Sequence, residues 1–242
     1  MKKLLSMTVA SLALAVVADD PAYSPITVNV DAFTPKSQNV IIPVPFSTIG
    51  STEGSNTVHD LVKAATLADG TMLYYFNGVS TNYLAWMKQG SAWVTTGISA
   101  TSVNNVPMSP GSETVKVSIG SALWLVFPSE TDLNSQKVVV YGGTPAITNS
   151  TVNLGQVNLL SNPTKSTITG EDLAVKLSFA SKGDRIRLIT TDSSIGEYVK
   201  AASGWKQNTG TGYADATLPD IASYQGFWYI PKAGSGTAQI SW

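Results

Sequence analysis

One order of local patterns occurs twice along this chain, and such a repeat limits the fold more than any single motif could. Residues 57–61 (TVHDL) and 169–173 (TGEDL) both read as a capped helix start. In each, a Thr side chain can accept from an amide three residues on, where an Asp can reach back. A short apolar-periodic segment follows each start and stops at a turn, Asp69-Gly70 in one copy and Gly183-Asp184 in the other. Strand patterns come next, residues 71–76 (TMLYYF) and 185–190 (RIRLIT), then segments bearing Tyr83 and Tyr198, then Trp93 and Trp205. A proline-bearing loop follows, then an aromatic strand carrying Trp124 or Trp228, then a closing strand at 137–141 or 237–242. Upstream, residues 27–30 (TVNV) match 151–154 (TVNL). The copies are joined at Gly142-Gly143-Thr144-Pro145.

The local patterns favour strands. Residues 114–119 (TVKVSI) alternate apolar and polar, as a half-buried strand does. Residues 138–141 (VVVY) form a continuous apolar run. Gly, Pro, Asn and Ser punctuate the chain at the spacing of a sandwich or barrel. Two such short helices cannot supply a core, so they plug the end or side of a β-structure. The expected fold is therefore all-β: two tandem related β-sandwich-like units, each with one short helix. The expected domains are a signal peptide over 1–18, a first β-unit with an N-terminal strand segment over 19–143, and a second over 144–242.

Composition narrows the function classes. Charged residues are only 13% of the chain and apolar residues 43%, which suits strands and turns rather than helices with charged outer faces. A net charge of −1 supplies no field to attract nucleic acid. The cluster Lys182, Arg185 and Arg187 reads as a solvated strand face. The chain has no Cys, which excludes disulfides and thiolate chemistry. A basic start (Lys2, Lys3), an apolar run to Val17 and small residues before Asp19 follow the plan of a bacterial secretory leader. No apolar stretch is long enough for a transmembrane helix. The expected location is the cell surface or beyond.

The pieces GDRIRLI, SGWKQ and GFWYIPKAGSGTAQISW, with GTMLYYF, SAWVTTG and ALWLVFP in the first copy, resemble a family of secreted bacterial proteins of unknown function with a duplicated β-unit. More loosely, the chain resembles surface-layer and extracellular-fibre subunits. The resemblance implies a fold and a location, and no catalytic motif.

Residues kept through the duplication read as repeat core: Tyr83, Trp93, Trp124, Tyr198, Trp205 and Trp228. Trp86 and Trp242 have no aromatic counterpart in this reading, which makes them the candidate interface or ligand aromatics. Thr27, Val28, Val30 and Phe33 alternate cleanly in an extended segment, residues 23–45, which is the candidate linking strand for a neighbouring subunit's sheet edge. His59, the only histidine, sits in a helix cap, and Glu171-Asp172 suit a helix N-terminus better than acid–base work. The expectation is thus a structural subunit of an extracellular fibre, surface layer or matrix, assembling with copies of itself through β-edges and uncharged faces, without catalytic residues, metal or cofactor. The alternative is a secreted carbohydrate-binding module with polysaccharide as partner. A glycan hydrolase ranks behind both.

Overall fold

In the computed structural model, the described residues are 24–29, 39–44, 57–62, 67–76, 83–95, 114–117, 120–132, 136–142, 149–164, 166–189, 195–223 and 225–242. The fold is all-β, with every named strand pair antiparallel. Among the described residues, no helix is long and apolar enough to cross a membrane.

The first part of the chain forms strand β1 (Ser24–Asn29), β2 (Asn39–Pro43), helix α1 (Val58–Val62), β3 (Met72–Tyr75), β4 (Leu84–Gln89), β5 (Ala92–Thr95), β6 (Ala122–Val126) and β7 (Lys137–Gly142). β1 pairs with β7 as a ribbon, and the rest form a five-stranded sheet of order β2-β6-β3-β4-β5. The alternating segment after Thr114 buries Val115 and Val117 and exposes Lys116, as its pattern predicts. It joins the fold through a bridge between Lys116 and Thr57 rather than as a strand of the sheet.

The second part forms β8 (Asn149–Asn153), β9 (Asn158–Ser161), α2 (Gly170–Lys176), β10 (Arg185–Ile189), β11 (Ile195–Ala201), β12 (Gly204–Asn208), β13 (Tyr213–Asp215), β14 (Gly226–Ile230) and β15 (Thr237–Ser241). β8 pairs with β15, and the others make a six-stranded sheet of order β13-β12-β11-β10-β14-β9. α2 starts as its sequence requires: Thr169 Oγ1 accepts from the Asp172 amide at 3.1 Å, and its hydroxyl donates to Asp172 Oδ2. Val152 and Ile240 of the β8–β15 ribbon pack into the core that Leu173, Ile186, Phe227 and Tyr229 also fill. Ribbon and sheet thus sandwich that core.

The two large sheets have one pairing order. β9-β14-β10-β11-β12 reproduces β2-β6-β3-β4-β5, with β13 added at the far edge. Register gives residue-level equivalents. Trp124 stands opposite Ile41 and Tyr74, while Trp228 stands opposite Leu159 and Arg187. Leu73 faces Trp86, while Ile186 faces Tyr198.

Period-2 alternation then decides how the sheets meet. Val40 and Ile42 point into the first core, so Ile41 points out of it. Ile41, Ala122, Leu159, Ile189 and Trp228 form a separate buried cluster joining the outer faces of the two sheets. Equivalent residues take part on both sides, Ile41 with Leu159 and Trp124 with Trp228, as in an isologous contact. Gly226 permits the approach, because a Cβ there would overlap the Ile41 side chain. At the margin, Ser161 donates its amide to Gly120 O at 2.9 Å and its hydroxyl to Ser121 O at 2.7 Å.

Candidate functional site

The candidate aromatics separate into core and contact residues. Trp86 corrects its expectation: it is fully buried in the first core and offers no surface to a ligand or partner. It also has an aromatic counterpart, because register places Tyr198 at its position, and the residue matching Tyr83 is Ile195. Trp242 is half-buried. It packs on Phe227 with ring centroids 6.5 Å apart and donates its indole N–H to Ser150 Oγ, so it closes the second core instead of standing as a free platform. Trp93 and Trp205 are buried, each in its own core.

Trp124, Trp228 and Tyr83 line a cleft between the outer faces of the two large sheets, with a volume of about 360 Å³. Trp124 meets Trp228 edge-on, with centroids 5.7 Å apart, and Tyr83 meets Trp124 at 5.8 Å. Tyr74 lies against Trp124 at 4.9 Å. The two indoles have different surroundings. Trp124 donates to Asn39 Oδ1 at 3.1 Å. Trp228 has Val157 at the position equivalent to Asn39, so it lacks the matching amide acceptor, and its indole faces Tyr83 across the contact. Burial raises the Tyr83 hydroxyl above its ordinary pKa, and the facing Trp228 indole N–H offsets part of that rise.

The rim of the cleft carries charge. Arg187 lines it, donating through Nε to Glu197 Oε2 at 2.6 Å directly across the β10–β11 ladder. Arg185 approaches the same oxygen at 3.6 Å, and Asn208 donates to Oε1 at 3.2 Å. Burial pushes the Glu197 carboxyl upward, but the Arg187 and Asn208 hydrogen bonds and both guanidinium charges outweigh it and hold it below its ordinary value. Arg185 and Arg187 are therefore not merely a solvated strand face. The sequence holds a signal for this cluster, since residues 185–187 (RIR) put both arginines on one face of a strand. Only the hairpin register shows that Glu197 stands opposite.

The candidate linking strand is paired inside its own chain. Thr27 stands opposite Val139 and Val28 opposite Val138 in the two-stranded β1–β7 ribbon. Val30 and Phe33 lie outside the described residues, as do residues 1–18, where a leader is expected.

The β8–β15 ribbon has the features that were expected of that segment. Leu154 N–H donates to Gly236 O at 3.0 Å, which fixes the ladder phase. The residues in step with that pair, Val152 with Ala238 and Ser150 with Ile240, bond across the ribbon. Thr151 and Gln239 between them direct their backbone groups to the two outer edges, where no other strand among the described residues meets them. Their side chains face solvent and bond each other, Gln239 Nε2 to Thr151 Oγ1 at 3.0 Å. Asn149 and Ser241 do the same at 2.6 Å. Neither strand contains a charge or a proline. One end of each edge is capped: the Asn158 amide bonds the Asn153 backbone, and Lys176 Nζ reaches Ser241 O at 2.6 Å.

The remaining acids have structural partners. Asp184 is buried and accepts from the Ser181 and Lys232 amides, both at 2.8 Å, and from the Tyr229 hydroxyl. Burial first, and then the Asp184 carboxylate, push the Tyr229 hydroxyl far above its ordinary pKa. His59 is half-buried in α1. Among the described residues, no group of three or more His, Cys, Asp or Glu could hold a metal ion. No family model matches the chain, and neither does any curated protein or solved structure.

Proposed function

We propose that the protein is a structural subunit of an extracellular fibre, surface layer or matrix, built as two tandem related units over 19–143 and 144–242 and exported by a leader over 1–18. The single observation behind this reading is the β8–β15 ribbon. Its outward backbone groups at Thr151 and Gln239 meet no strand among the described residues, and its solvent face is an uncharged ladder. Protein edges normally carry lysines, prolines or bulges that prevent pairing with another chain. This ribbon lacks the first two along both strands, so a strand from a second copy can add to it. The shared pairing order of the large sheets supports the tandem-unit reading.

Sedimentation velocity over a range of concentrations tests the proposal. The protein should form larger species as concentration rises. The double variant Thr151→Lys/Gln239→Lys, which adds charge to an already exposed face, should stay monomeric, with an unfolding midpoint only slightly lowered by the two like charges standing opposite each other. A wild type that is monomeric at every concentration, or a variant that assembles equally well, would refute it.

A further inference from the structure

The cleft between the large sheets lies on the approximate two-fold relation between them, and equivalent positions on its two walls hold different chemistry. Asn39 is matched by Val157, Tyr83 by Ile195 and Tyr74 by Arg187. Apart from the shared tryptophans, one wall thus adds a tyrosine and an amide, and the other adds aliphatic side chains and a guanidinium. The first sheet gives Trp124 and Tyr83, whose hydroxyl can donate to a ligand. The second gives Ile195, which is 62% exposed at the mouth, and Arg187.

Charge decides what such a cleft prefers. Glu197 brings one negative charge to two arginines, so the cluster carries a surplus positive charge. Arg187 uses Nε on Glu197, and its Nη groups have no partner among the described residues. An apolar cleft with a few convergent donors is the usual form of a small-molecule site, and the volume here is within that range. We infer that this cleft binds a small amphipathic anion, a flat apolar or aromatic body between the Trp124 side and Ile195 with a carboxylate on the Arg187 guanidinium. A guanidinium pairs with a carboxylate through two parallel N–H donors, a geometry that a neutral ligand cannot use.

The probes are 2-naphthoate and its neutral analogue 2-naphthalenemethanol, titrated into the full chain by calorimetry with tryptophan fluorescence as a second readout. 2-Naphthoate should bind saturably at one site per chain, about tenfold or more tighter than the alcohol, as expected for one charge-assisted hydrogen-bonded pair. Arg187→Gln should remove that preference. Ile195→Glu, a change at an exposed position that leaves the Arg187–Glu197 pair intact, should weaken 2-naphthoate by about tenfold or more and the alcohol far less, and it decides the matter if Arg187→Gln does not fold. Absence of saturable binding, equal affinity for the two probes, or 2-naphthoate affinity unchanged in Ile195→Glu would overturn the inference.

Discussion

The two large sheets pair their strands in the same order yet treat one register position in opposite ways. Beside Trp124 the first sheet places Tyr74 with Ala85 across the ladder, and beside Trp228 the second places Arg187 with Glu197. The aromatic solution gains from ring packing and has no charge to desolvate. The ionic solution withdraws a carboxylate from water and depends on Arg187, Arg185 and Asn208 to offset the cost. Where the sheets touch, both solutions keep the same residues, a branched aliphatic and a tryptophan. The contact is thus the constrained part of the face, and its flanks are free to differ.

The largest effect should come from the contact itself. Trp124→Ala and Trp228→Ala should each lose roughly 3–5 kcal/mol in urea unfolding, since each removes a large ring that packs between the sheets. Equal losses would show that both sheets lean on the contact alike. A loss confined to Trp228→Ala would show that the second sheet depends on the contact more than the first. Gly226→Ala comes next, with a cost of roughly 1–3 kcal/mol from overlap with the Ile41 Cγ2 methyl, partly recovered by adding Ile41→Leu, which lacks that methyl. A neutral Gly226→Ala would mean that the sheets can move apart freely.

Exchanging the two solutions sharpens the comparison. Arg187→Met alone should cost roughly 1.5–3 kcal/mol, because Glu197 loses its closest charged partner. The double change Arg187→Tyr/Glu197→Ala, which copies the first sheet's pair, should restore stability to within about 1 kcal/mol of wild type. The pH profile separates them further. Glu197 has a folded pKa below its ordinary 4.5, so the stability it contributes is present above that value and is lost as pH falls through the folded value. Urea midpoints should therefore fall less on acidification in the double variant than in wild type. The smallest effect, under about 1 kcal/mol, is expected for Ile195→Tyr, a change at an exposed position that makes the cleft's mouth match on both sides.

Much of the fold was legible in the residues because it is set locally. Thr169 and Asp172 announce the α2 cap, and the short continuous apolar runs around Trp124 and Trp228 announce the strands that carry them. The β13 strand was missed because Tyr213, Ala214 and Asp215 are exposed and carry no burial pattern. The pairing of Tyr83 with Tyr198 misled because like was matched with like. Trp86 and Tyr198 each lie seven residues before the matched Trp93 and Trp205, so counting back without a gap finds the true counterpart. The cleft was not legible at all. It depends on which face of each sheet meets the other, and each strand's alternation states only that two faces exist.

Assembly at the ribbon edge is the central claim, and negative-stain electron microscopy of the purified protein beside Thr151→Lys/Gln239→Lys tests it most directly. Regular filaments or sheets in the wild type, lost in the variant, are the predicted result. Dispersed single particles in the wild type at every concentration, or identical assemblies from both proteins, would contradict it.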